Sequence, residues 1–374
     1  MRYARMPIEI ESPEELGDGS IRYNLAESST ADRSLAELGV TLDPEALVLQ
    51  YGDHRGHPGL RDLLAAESGS RSDQVLLTPG AAGALFIVST TLLEPGDHLV
   101  VLRPNYVTNL ETPRAIGCEI SFLDLSFETQ WRYSAADIEA LIRPTTRLIS
   151  ITTPHNPTGA VLASAELDRI IALAESRGIW LLVDETYRDL QVAPPGPYAT
   201  IRSERVISVG SLSKAYGLPG LRVGWLLTRH PELAVRFLAA KEQIVICGPI
   251  IEEEIGFQVY RQRSVLRPAI ARLVEERIGM IARWVATHPV VEWVRPAGGV
   301  VCFPRIKPEI AFDAERFYRA LTEDYGTYVG SGHWFEQDRR YFRLGFGWPT
   351  GPDLAAGLAG IDQALQPSFF GPRP

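Results

Sequence analysis

A lysine among small and flexible residues is the strongest candidate for chemistry in this 374-residue chain. Lys214 lies in the segment SLSKAYGLPGLRVGW, residues 211–225. To form a Schiff base, an amine must first lose its proton, and burial together with a nearby cation such as Arg222 lowers the pKa of a lysine. A solvated surface lysine is the ordinary alternative, but the flanking sequence favours a nucleophile or base in a buried site.

Polar residues also follow two other predicted strands. Asn156 belongs to the sequence NPTG after the strand predicted at residues 148–152, and Asp184 follows the strand predicted at 180–183. The sequence NPTG by itself indicates only a turn. A carboxylate buried at the end of a strand, however, can keep a nearby basic nitrogen protonated.

Two further segments suit anionic groups. The sequence LTPGAAGAL, residues 77–85, predicts a strand, a glycine turn and a helix start, whose free N–H groups and dipole favour a phosphate dianion. Arg343 lies mid-strand in YFRLGF, residues 341–346, where a buried guanidinium needs an anionic partner such as a carboxylate. A plain helix start and a structural ion pair are the respective alternatives.

The elements that must position these residues alternate along the chain. Short β-branched or leucine-rich runs predict buried strands, and they lie at residues 75–77, 99–102, 148–152, 180–183 and 206–209. Helical spacing occurs between them at 82–93, 135–142 and 164–177. This alternation predicts an α/β fold with a parallel sheet covered on both faces, and ligands bind such sheets at the carboxyl ends of the strands.

After residue 226 the pattern changes to longer charged helices, predicted at 231–242 and 249–288, followed by a strand-like run at 341–346. We therefore expect a second, α+β lobe from about position 250. The last eight residues, 367–374, contain three prolines and predict a loose tail, because proline cannot continue a helix.

The lysine segment resembles the lysine motif of the class I/II aminotransferases, which are fold-type I enzymes that use pyridoxal 5′-phosphate (PLP). The sequences around Asn156, Asp184 and Arg343 resemble that family in the same chain order, from about Tyr23 onward. The resemblance implies a large domain with a mostly parallel sheet sandwiched by helices, and a smaller α+β domain. The expected boundaries are 1–40 for an N-terminal segment joining the small domain, 41–249 for the large PLP-binding domain and 250–374 for the small domain.

The resemblance also implies the role of each site residue. Lys214, Asp184 and Tyr187 would be catalytic, with Lys214 forming the Schiff base and Asp184 facing the ring nitrogen of the cofactor. The residues expected to bind the cofactor are Gly80, Ala81, Ala82, Tyr106, Asn156, Asp184, Tyr187, Ser211, Ser213, Lys214, Arg222 and, from a neighbouring subunit, Tyr51. The residues expected to bind the substrate are Arg343, Asn156, Ala26 and Glu27, of which Glu27 would meet a cationic side chain or be solvated.

The chain departs from the family at two places. Many members have a polar side chain where this chain has Ala81 and Ala82, so backbone N–H groups, Arg222 and Ser211 must hold more of the phosphate. Residues 24–29 lie where the family usually has a glycine that allows the N-terminal segment to close over the substrate.

The reaction implied is transamination of an L-amino acid through a Lys214 aldimine, a quinonoid and a ketimine. The alternative is a specialised cyclase, lyase or oxidase that acts on an arginine-like amino acid in secondary metabolism, because the lysine segment also resembles the capreomycidine synthase branch. A PLP-fold protein without catalysis is a further alternative, which the presence of Lys214, Asp184 and Arg343 together disfavours. Residues 211–214 also satisfy Ser-x-x-Lys, but the other motifs of serine acyl-transfer enzymes do not occur in the sequence.

Composition and net charge limit the classes of partner that we expect this protein to bind. The formal net charge of −9 and a pI of about 5.4 argue against nucleic-acid binding. His54 and His57 lack further ligands in the sequence pattern, so no metal site is expected. The three separated cysteines, Cys118, Cys247 and Cys302, and the lack of a signal peptide or membrane span predict a cytoplasmic protein. We expect a homodimer with shared active sites that binds an amino acid.

Overall fold

The computed structural model describes residues 1–17, 19 and 21–366, so the tail predicted for residues 367–374 lies outside the described residues. The strands are β1 (Tyr23–Asn24), β2 (Val75–Pro79), β3 (His98–Arg103), β4 (Glu119–Asp124), β5 (Thr146–Thr152), β6 (Trp180–Asp184), β7 (Val206–Ser211), β8 (Val223–Thr228), β9 (Val291–Glu292), β10 (Val301–Cys302), β11 (Arg305–Ile306), β12 (Thr327–Tyr328), β13 (Gly330–Ser331) and β14 (Phe342–Gly345). The α-helices are α1 (Pro7–Ile10), α2 (Pro13–Leu16), α3 (Pro58–Ser68), α4 (Gly80–Leu92), α5 (Thr108–Ile116), α6 (Ala135–Glu139), α7 (Ser164–Arg177), α8 (Pro231–Val245), α9 (Ile250–Arg261), α10 (Arg263–Thr287), α11 (Ala314–Glu323) and α12 (Gly351–Ala364).

Seven strands form the main sheet, in the order β2-β8-β7-β6-β5-β3-β4. The pairs from β7 to β4 are parallel, whereas β8 runs antiparallel to both β7 and β2. The prediction of an α/β fold with a mostly parallel sheet is therefore confirmed. Because β8 alone is reversed, its first residues lie at the edge where the other six strands end.

Helices cover both faces of this sheet. In β5 and β6, successive side chains alternate between two apolar clusters: Ile149 and Leu181 pack with α7, and Leu148 and Leu182 pack with α4 and α8. Burial on both faces explains why these strands have continuous apolar sequences. No helix among the described residues is long and apolar enough to cross a membrane.

The C-terminal part of the chain has smaller sheets. β10, β14 and β13 form one antiparallel sheet, and β9 pairs with β11. The N-terminal strand β1 pairs in parallel with β12, with Tyr23 opposite Thr327. This pairing attaches the start of the chain to the C-terminal part, while the domain boundaries at residues 40 and 250 stay predictions.

Two helix predictions need correction. The single helix predicted at 249–288 is divided into α9 and α10 at Gln262, whose backbone (φ −92°, ψ 4°) leaves the helical region. The Gln262 side chain donates to the carbonyl of Leu38, which holds the break in place. The helix predicted at 135–142 already ends at Glu139.

The N-terminal segment crosses directly over β14. The amide of Gly345 donates to the carbonyl of Leu25 at 2.7 Å. A Cβ atom at Gly345 would overlap the carbonyl oxygen of Glu27, and one at Gly347 would come within 2.7 Å of the carbonyl oxygen of Ser29. The two glycines therefore allow the backbone of residues 25–29 to lie against the small sheet.

We expect Gly345→Ala to lower the melting temperature, because the added methyl group must displace this backbone. Overpacking of this kind costs about 1–3 kcal/mol. Gly196→Ala is the control, since nothing lies within 4 Å of a Cβ built there. Thermal unfolding followed by circular dichroism measures both variants, and equal melting temperatures would contradict the close crossing.

Candidate active site

The sequence-predicted residues meet in a cavity of about 450 Å³ at the carboxyl edge of the main sheet. Helices α1 and α2 and the segment around Glu27 form one wall of it, and Trp334 and Arg343 come from the C-terminal part. The predicted residues that line the cavity are Ala26, Glu27, Ala81, Ala82, Tyr106, Asn156, Asp184, Tyr187, Ser211, Ser213, Lys214, Arg222 and Arg343.

Lys214 lies after β7 and its Nζ donates to the Ser28 Oγ at 3.1 Å. The backbone reinforces this contact, because the amide of Thr30 donates to the carbonyl of Lys214 at 2.9 Å. Burial lowers the pKa of Lys214, as do the charges of Arg343 and Arg222, whereas Glu27 raises it. The net effect is that the Lys214 amine becomes neutral at a lower pH than a solvated lysine does. An amine must be neutral to act as a nucleophile.

Burial alone does not distinguish Lys214 from another lysine. Lys241 is fully buried, and burial lowers its pKa as well. Its Nζ, however, donates to the carbonyl of His54 at 2.7 Å, and Lys241 is absent from the cavity lining. Among the three lysines, which all lie in the described part of the chain, only Lys214 has both a lowered pKa and a place in the cavity lining.

Asp184 is buried at the end of β6, and its Oδ1 accepts from the amide of Thr186 at 3.0 Å and from its hydroxyl at 2.6 Å. Burial raises the pKa of this carboxyl group, which the hydrogen bonds from Thr186 oppose. Asp184 forms no ion pair with any cation of the described chain. A carboxylate so placed is available to a cationic group of a ligand.

Arg343 of β14 is 5% exposed and has only neutral partners. Its Nη1 donates to the Asn156 Oδ1 at 3.2 Å and its Nη2 to the carbonyl of Ala26 at 2.7 Å. The Nε atom is buried without a partner in the described part of the protein. A buried guanidinium that forms no ion pair in the described part of the chain is suited to bind an anion.

Two tyrosines complete the side of the cavity near Asn156. Tyr187 is 4% exposed, and its hydroxyl makes no hydrogen bond of normal geometry within the described residues. Burial raises the pKa of Tyr187 to about 12, against the opposing effects of Arg343 and Ser28, so the hydroxyl keeps its proton as a donor. Tyr106, after β3, is partly buried and lines the same cavity.

The start of α4 and the start of β8 form a cradle for an anion. Arg222, in a left-handed conformation (φ 53°), donates from Nη1 to the carbonyl of Pro219 at 2.7 Å and contacts the Ser213 Oγ at 3.5 Å. Ala81 and Ala82 lie in the first turn of α4, where backbone N–H groups have no partner within the helix. The Ser211 hydroxyl lines the same end of the cavity.

Two predicted residues do not line the cavity. The amide of Gly80 donates to the carbonyl of Arg222 at 2.9 Å, and a Cβ at this residue (φ +68°) would overlap the Arg222 guanidinium. Gly80 therefore allows the arginine to lie close to the helix start. Tyr51 is 80% exposed and lies outside the cavity of its own chain. The cofactor-binding roles of both residues stay predictions.

Sequence reasoning assigned no role to Ser28, Thr186 or Glu14, which all line the cavity. A signal existed for Thr186, because a hydroxyl two residues after a strand-terminal aspartate can bond to it. Ser28 and Glu14 carried no such signal, since their positions depend on how the N-terminal segment packs against distant parts of the chain.

The geometry agrees with comparisons to known proteins. The sequence model of the family "Aminotransferase class I and II" matches residues 45–353, which is most of the chain. The chain belongs to this family. Its cofactor is accordingly pyridoxal 5′-phosphate, and its fold is that of the fold-type I PLP enzymes.

Individual members resemble the chain over most of their length. An arginine–pyruvate transaminase of Pseudomonas aeruginosa is 30% identical over 312 residues, which are 76% of this chain and 74% of that protein. A capreomycidine synthase of Streptomyces vinaceus is 29% identical over 367 residues, covering 97% and 91%. The crystal structure of a PLP-dependent aminotransferase from Streptococcus suis superimposes with a TM-score of 0.88 at 28% identity over the whole of both chains.

The cavity of this aminotransferase fits PLP at each of its functional groups. The cofactor has an aldehyde, a phenolic oxygen, a ring nitrogen and a phosphate. Lys214 provides an amine for the aldehyde, and the buried Tyr187 hydroxyl provides an unused donor for the phenolic oxygen. Asp184 provides a carboxylate without an ion pair for the ring nitrogen. Arg222 and the start of α4 form an anion cradle for the phosphate. These are the complementary groups, and they line one cavity.

We expect borohydride reduction of the PLP-loaded protein to fix the cofactor on Lys214. The chain has three lysines, Lys214, Lys241 and Lys307, so peptide mapping by mass spectrometry distinguishes all of them. Lys214→Ala is the negative variant, and Lys241→Met is the matched control because it removes the other buried lysine. Label on Lys241 or Lys307 in the unsubstituted protein would contradict the assignment.

Proposed function

We propose that the protein transfers the α-amino group of a free L-amino acid to a 2-oxo acid, with Lys214, Asp184 and Arg343 as the main active-site groups. The observation that carries this proposal is the Arg343 guanidinium, which is buried, has only neutral hydrogen-bond partners and lines the cavity that also holds Lys214. Both substrates of a transaminase carry a carboxylate next to the reacting carbon. One anion site beside one amine therefore serves both half-reactions.

Arg343 binds the substrate carboxylate in this proposal. Its Nη2 is oriented by the carbonyl of Ala26 and its Nη1 by the Asn156 Oδ1, so the planar group is fixed before the substrate arrives. A fixed guanidinium loses little conformational freedom on binding and can grip both carboxylate oxygens. Binding also supplies the anionic partner that the buried Arg343 lacks.

When bound, PLP supplies an electron-withdrawing ring that acidifies the Cα–H bond of the amino acid. Lys214 would hold the cofactor through Nζ, and the free Nζ would be the base that takes the proton from Cα of the substrate. Burial and the charges of Arg343 and Arg222 lower the pKa of Lys214, so a larger fraction of the released amine is neutral. Ser28 accepts a hydrogen bond from Nζ at 3.1 Å and limits its movement.

Asp184 and Asn156 orient the ring of the cofactor. The Asp184 carboxylate, held by Thr186, would face the ring nitrogen and keep its proton in place. The Asn156 Oδ1 accepts from Arg343, so its Nδ2 amino group is directed elsewhere and is available, with the Tyr187 hydroxyl, to donate to the phenolic oxygen. Tyr106 would pack against the ring, and Arg222, Ser211 and Ser213 would bind the phosphate with the first N–H groups of α4.

We further propose a homodimer in which Tyr51 reaches the phosphate site of the partner. Val48, Leu49 and Tyr51 are 61%, 72% and 80% exposed, a run of large apolar side chains that a second copy would cover. In a two-fold dimer each subunit would give its Tyr51 to the other site. We place the enzyme in the cytoplasm as part of this proposal, since its three cysteines are free.

A second candidate function is a specialised reaction, such as cyclisation, elimination or oxidation, of an arginine-like amino acid. Its support is the similarity to capreomycidine synthase, which extends over 97% of the chain. The same cavity residues would remove the Cα proton in either case, so the geometry described above is common to both functions. The fate of the amino group decides between them.

We expect an anaerobic mixture of the PLP-loaded enzyme with its amino acid substrate, without a 2-oxo acid, to convert the cofactor stably to pyridoxamine phosphate. Absorbance spectra of a panel of amino acids measure this conversion. Lys214→Ala should slow it by at least about 10²-fold, the usual contribution of a general base. An absorbance change that reverts as product forms would favour elimination or cyclisation, and one that persists until oxygen is admitted would favour an oxidase.

We expect Tyr51→Ala to weaken PLP binding by about tenfold, as the loss of one phosphate hydrogen bond predicts. Mixing Tyr51→Ala with Lys214→Ala subunits should restore tight binding at some sites, because a hybrid dimer has one site with both residues intact. Cofactor titration of the mixture measures this restoration, with sedimentation to establish the dimer. A monomeric protein would contradict shared sites, and so would a mixture whose PLP titration equals the sum of the titrations of the two separate variants.

A further inference from the structure

The wall that the N-terminal segment gives to the cavity is acidic. Four glutamates of this segment line it, namely Glu9, Glu14, Glu15 and Glu27. Two of them already have partners: Glu15 pairs with Arg5 at 3.1 Å, and Glu9 accepts from the amide of Met6 at 3.0 Å. Glu14 and Glu27 form neither a hydrogen bond nor an ion pair through their side chains in the described chain.

Glu27 is the more enclosed of these two unpaired carboxylates. It is partly buried, whereas Glu14 is exposed at the rim of the cavity. Burial raises the pKa of Glu27, and the charge of Glu14 raises it further, while Lys214 and Arg343 lower it. Burial and the charge of Glu14 both disfavour the charged form of Glu27, and a cation placed beside the two carboxylates would favour it.

The two cations near Glu27 have other tasks in the proposed reaction. Lys214 holds the cofactor, and Arg343 binds the substrate carboxylate. Asp184 is likewise committed to the ring nitrogen, and Arg222 to the phosphate. Once these groups are assigned, the carboxylates of Glu9, Glu14 and Glu27 remain in the described cavity lining without an ion pair, and of these three only Glu27 is partly buried. A cation that pairs with Glu27 would therefore come with the ligand.

The position of Glu27 in the chain gives the direction of that ligand group. The carbonyl of its predecessor, Ala26, accepts from Arg343, and the hydroxyl of its successor, Ser28, accepts from Lys214. An amino acid bound by its carboxylate at Arg343 and its amine near Lys214 thus lies along residues 26–28. Glu27 lies between these two contacts. Its carboxylate is therefore placed to contact the side chain of the substrate, which is the third group that the site must recognise.

Other atoms show that this cavity is built for a ligand. Arg343 and Tyr187 line the cavity and are more than nine-tenths buried, and the Arg343 Nε and the Tyr187 hydroxyl make no hydrogen bond of normal geometry among the described residues. Buried polar groups are rarely left unpaired in a finished protein interior. The acidic wall and these unpaired donors therefore belong to one binding site.

We propose that Glu27, with Glu14 at the rim, selects an amino acid whose side chain ends in a cationic amine or guanidinium. This inference rests on the proposed transamination and names its amino donor by charge. Glu27 binds the cation directly and Glu14 adds a weaker, solvent-screened attraction. An acidic donor is disfavoured, because its side chain would meet Glu27.

The test compares arginine with citrulline, which has the same length but a neutral end group. For the unsubstituted enzyme we expect a higher kcat/KM with arginine. Glu27→Gln should lower the value for arginine by about 10–100-fold, mainly through KM, as the loss of one buried charged contact predicts. The value for citrulline should change by less than about threefold, because a neutral side chain makes no ion pair.

Two neighbouring variants calibrate the effect. Glu14→Gln should reduce kcat/KM for arginine by only about two- to fivefold, since exposed ion pairs contribute little. Glu15→Gln is the matched control, because Glu15 lines the same wall but is already paired with Arg5. It should leave the preference for arginine over citrulline unchanged.

A binding measurement keeps the test independent of turnover. An amino acid with a methyl group on Cα has no proton to lose, so it binds and does not react. We expect 2-methylornithine to bind the PLP-loaded enzyme more tightly than the neutral 2-methylnorvaline, and Glu27→Gln to abolish the difference. Absorbance titration gives both dissociation constants.

Three results would overturn the inference. They are a preference for neutral or acidic side chains in the unsubstituted enzyme, an equal loss with arginine and citrulline in Glu27→Gln, and equal binding of the two methylated ligands. An equal loss would show that Glu27 acts on Lys214 or on the segment itself. Failure of the proposed transamination is a separate outcome, since then no amino acid of the panel would yield pyridoxamine phosphate.

Discussion

The active site depends on the close crossing of residues 25–29 over β14. This crossing requires glycine at position 345, where a side chain would displace the backbone. Because the segment lies so close, the carbonyl of Ala26 reaches Arg343 and the hydroxyl of Ser28 reaches Lys214. The N-terminal segment thereby joins the lysine of the main sheet to the arginine of the small sheet. In the proposed function, residues 26–28 would fix the substrate between these two side chains.

The topology of the main sheet supplies the other half of the site. Six of its strands end at the same edge, which brings Asp184, Asn156 and Lys214 together from loops that are far apart in sequence. The antiparallel strand β8 starts at this edge, so Arg222 arrives from the opposite chain direction. Its left-handed backbone and the lack of a side chain at Gly80 allow its guanidinium to lie beside the first turn of α4. If β8 were parallel to the other strands, its first residues, and Arg222 with them, would lie at the opposite edge of the sheet.

The sequence predicted the parts of this arrangement that are local. Each of the five predicted strands is present, and α7 spans the predicted residues, because apolar runs and helical spacing report burial directly. Asp184 and Asn156 could be located because each follows a strand. The close crossing could not be predicted, since it depends on the fit between residues 25–29 and Gly345, which are more than 300 positions apart in the chain. The positions of Ser28 and Glu14 in the cavity lining were missed for this reason, and the break at Gln262 likewise lies at a contact with distant Leu38.

The same crossing explains how a cavity with so many uncompensated charges can exist in a folded protein. Arg343, Asp184 and Glu27 form no ion pairs among the described residues, and burial disfavours the charged form of each. The strand hydrogen bonds of β6 and β14 and the packing of the N-terminal segment hold these groups in place despite that penalty. In the proposed function, an opposite charge of the cofactor or the substrate would pair with each of these groups. The fold would then hold the site ready for a ligand with one carboxylate, one amine and, at Glu27, one further positive charge.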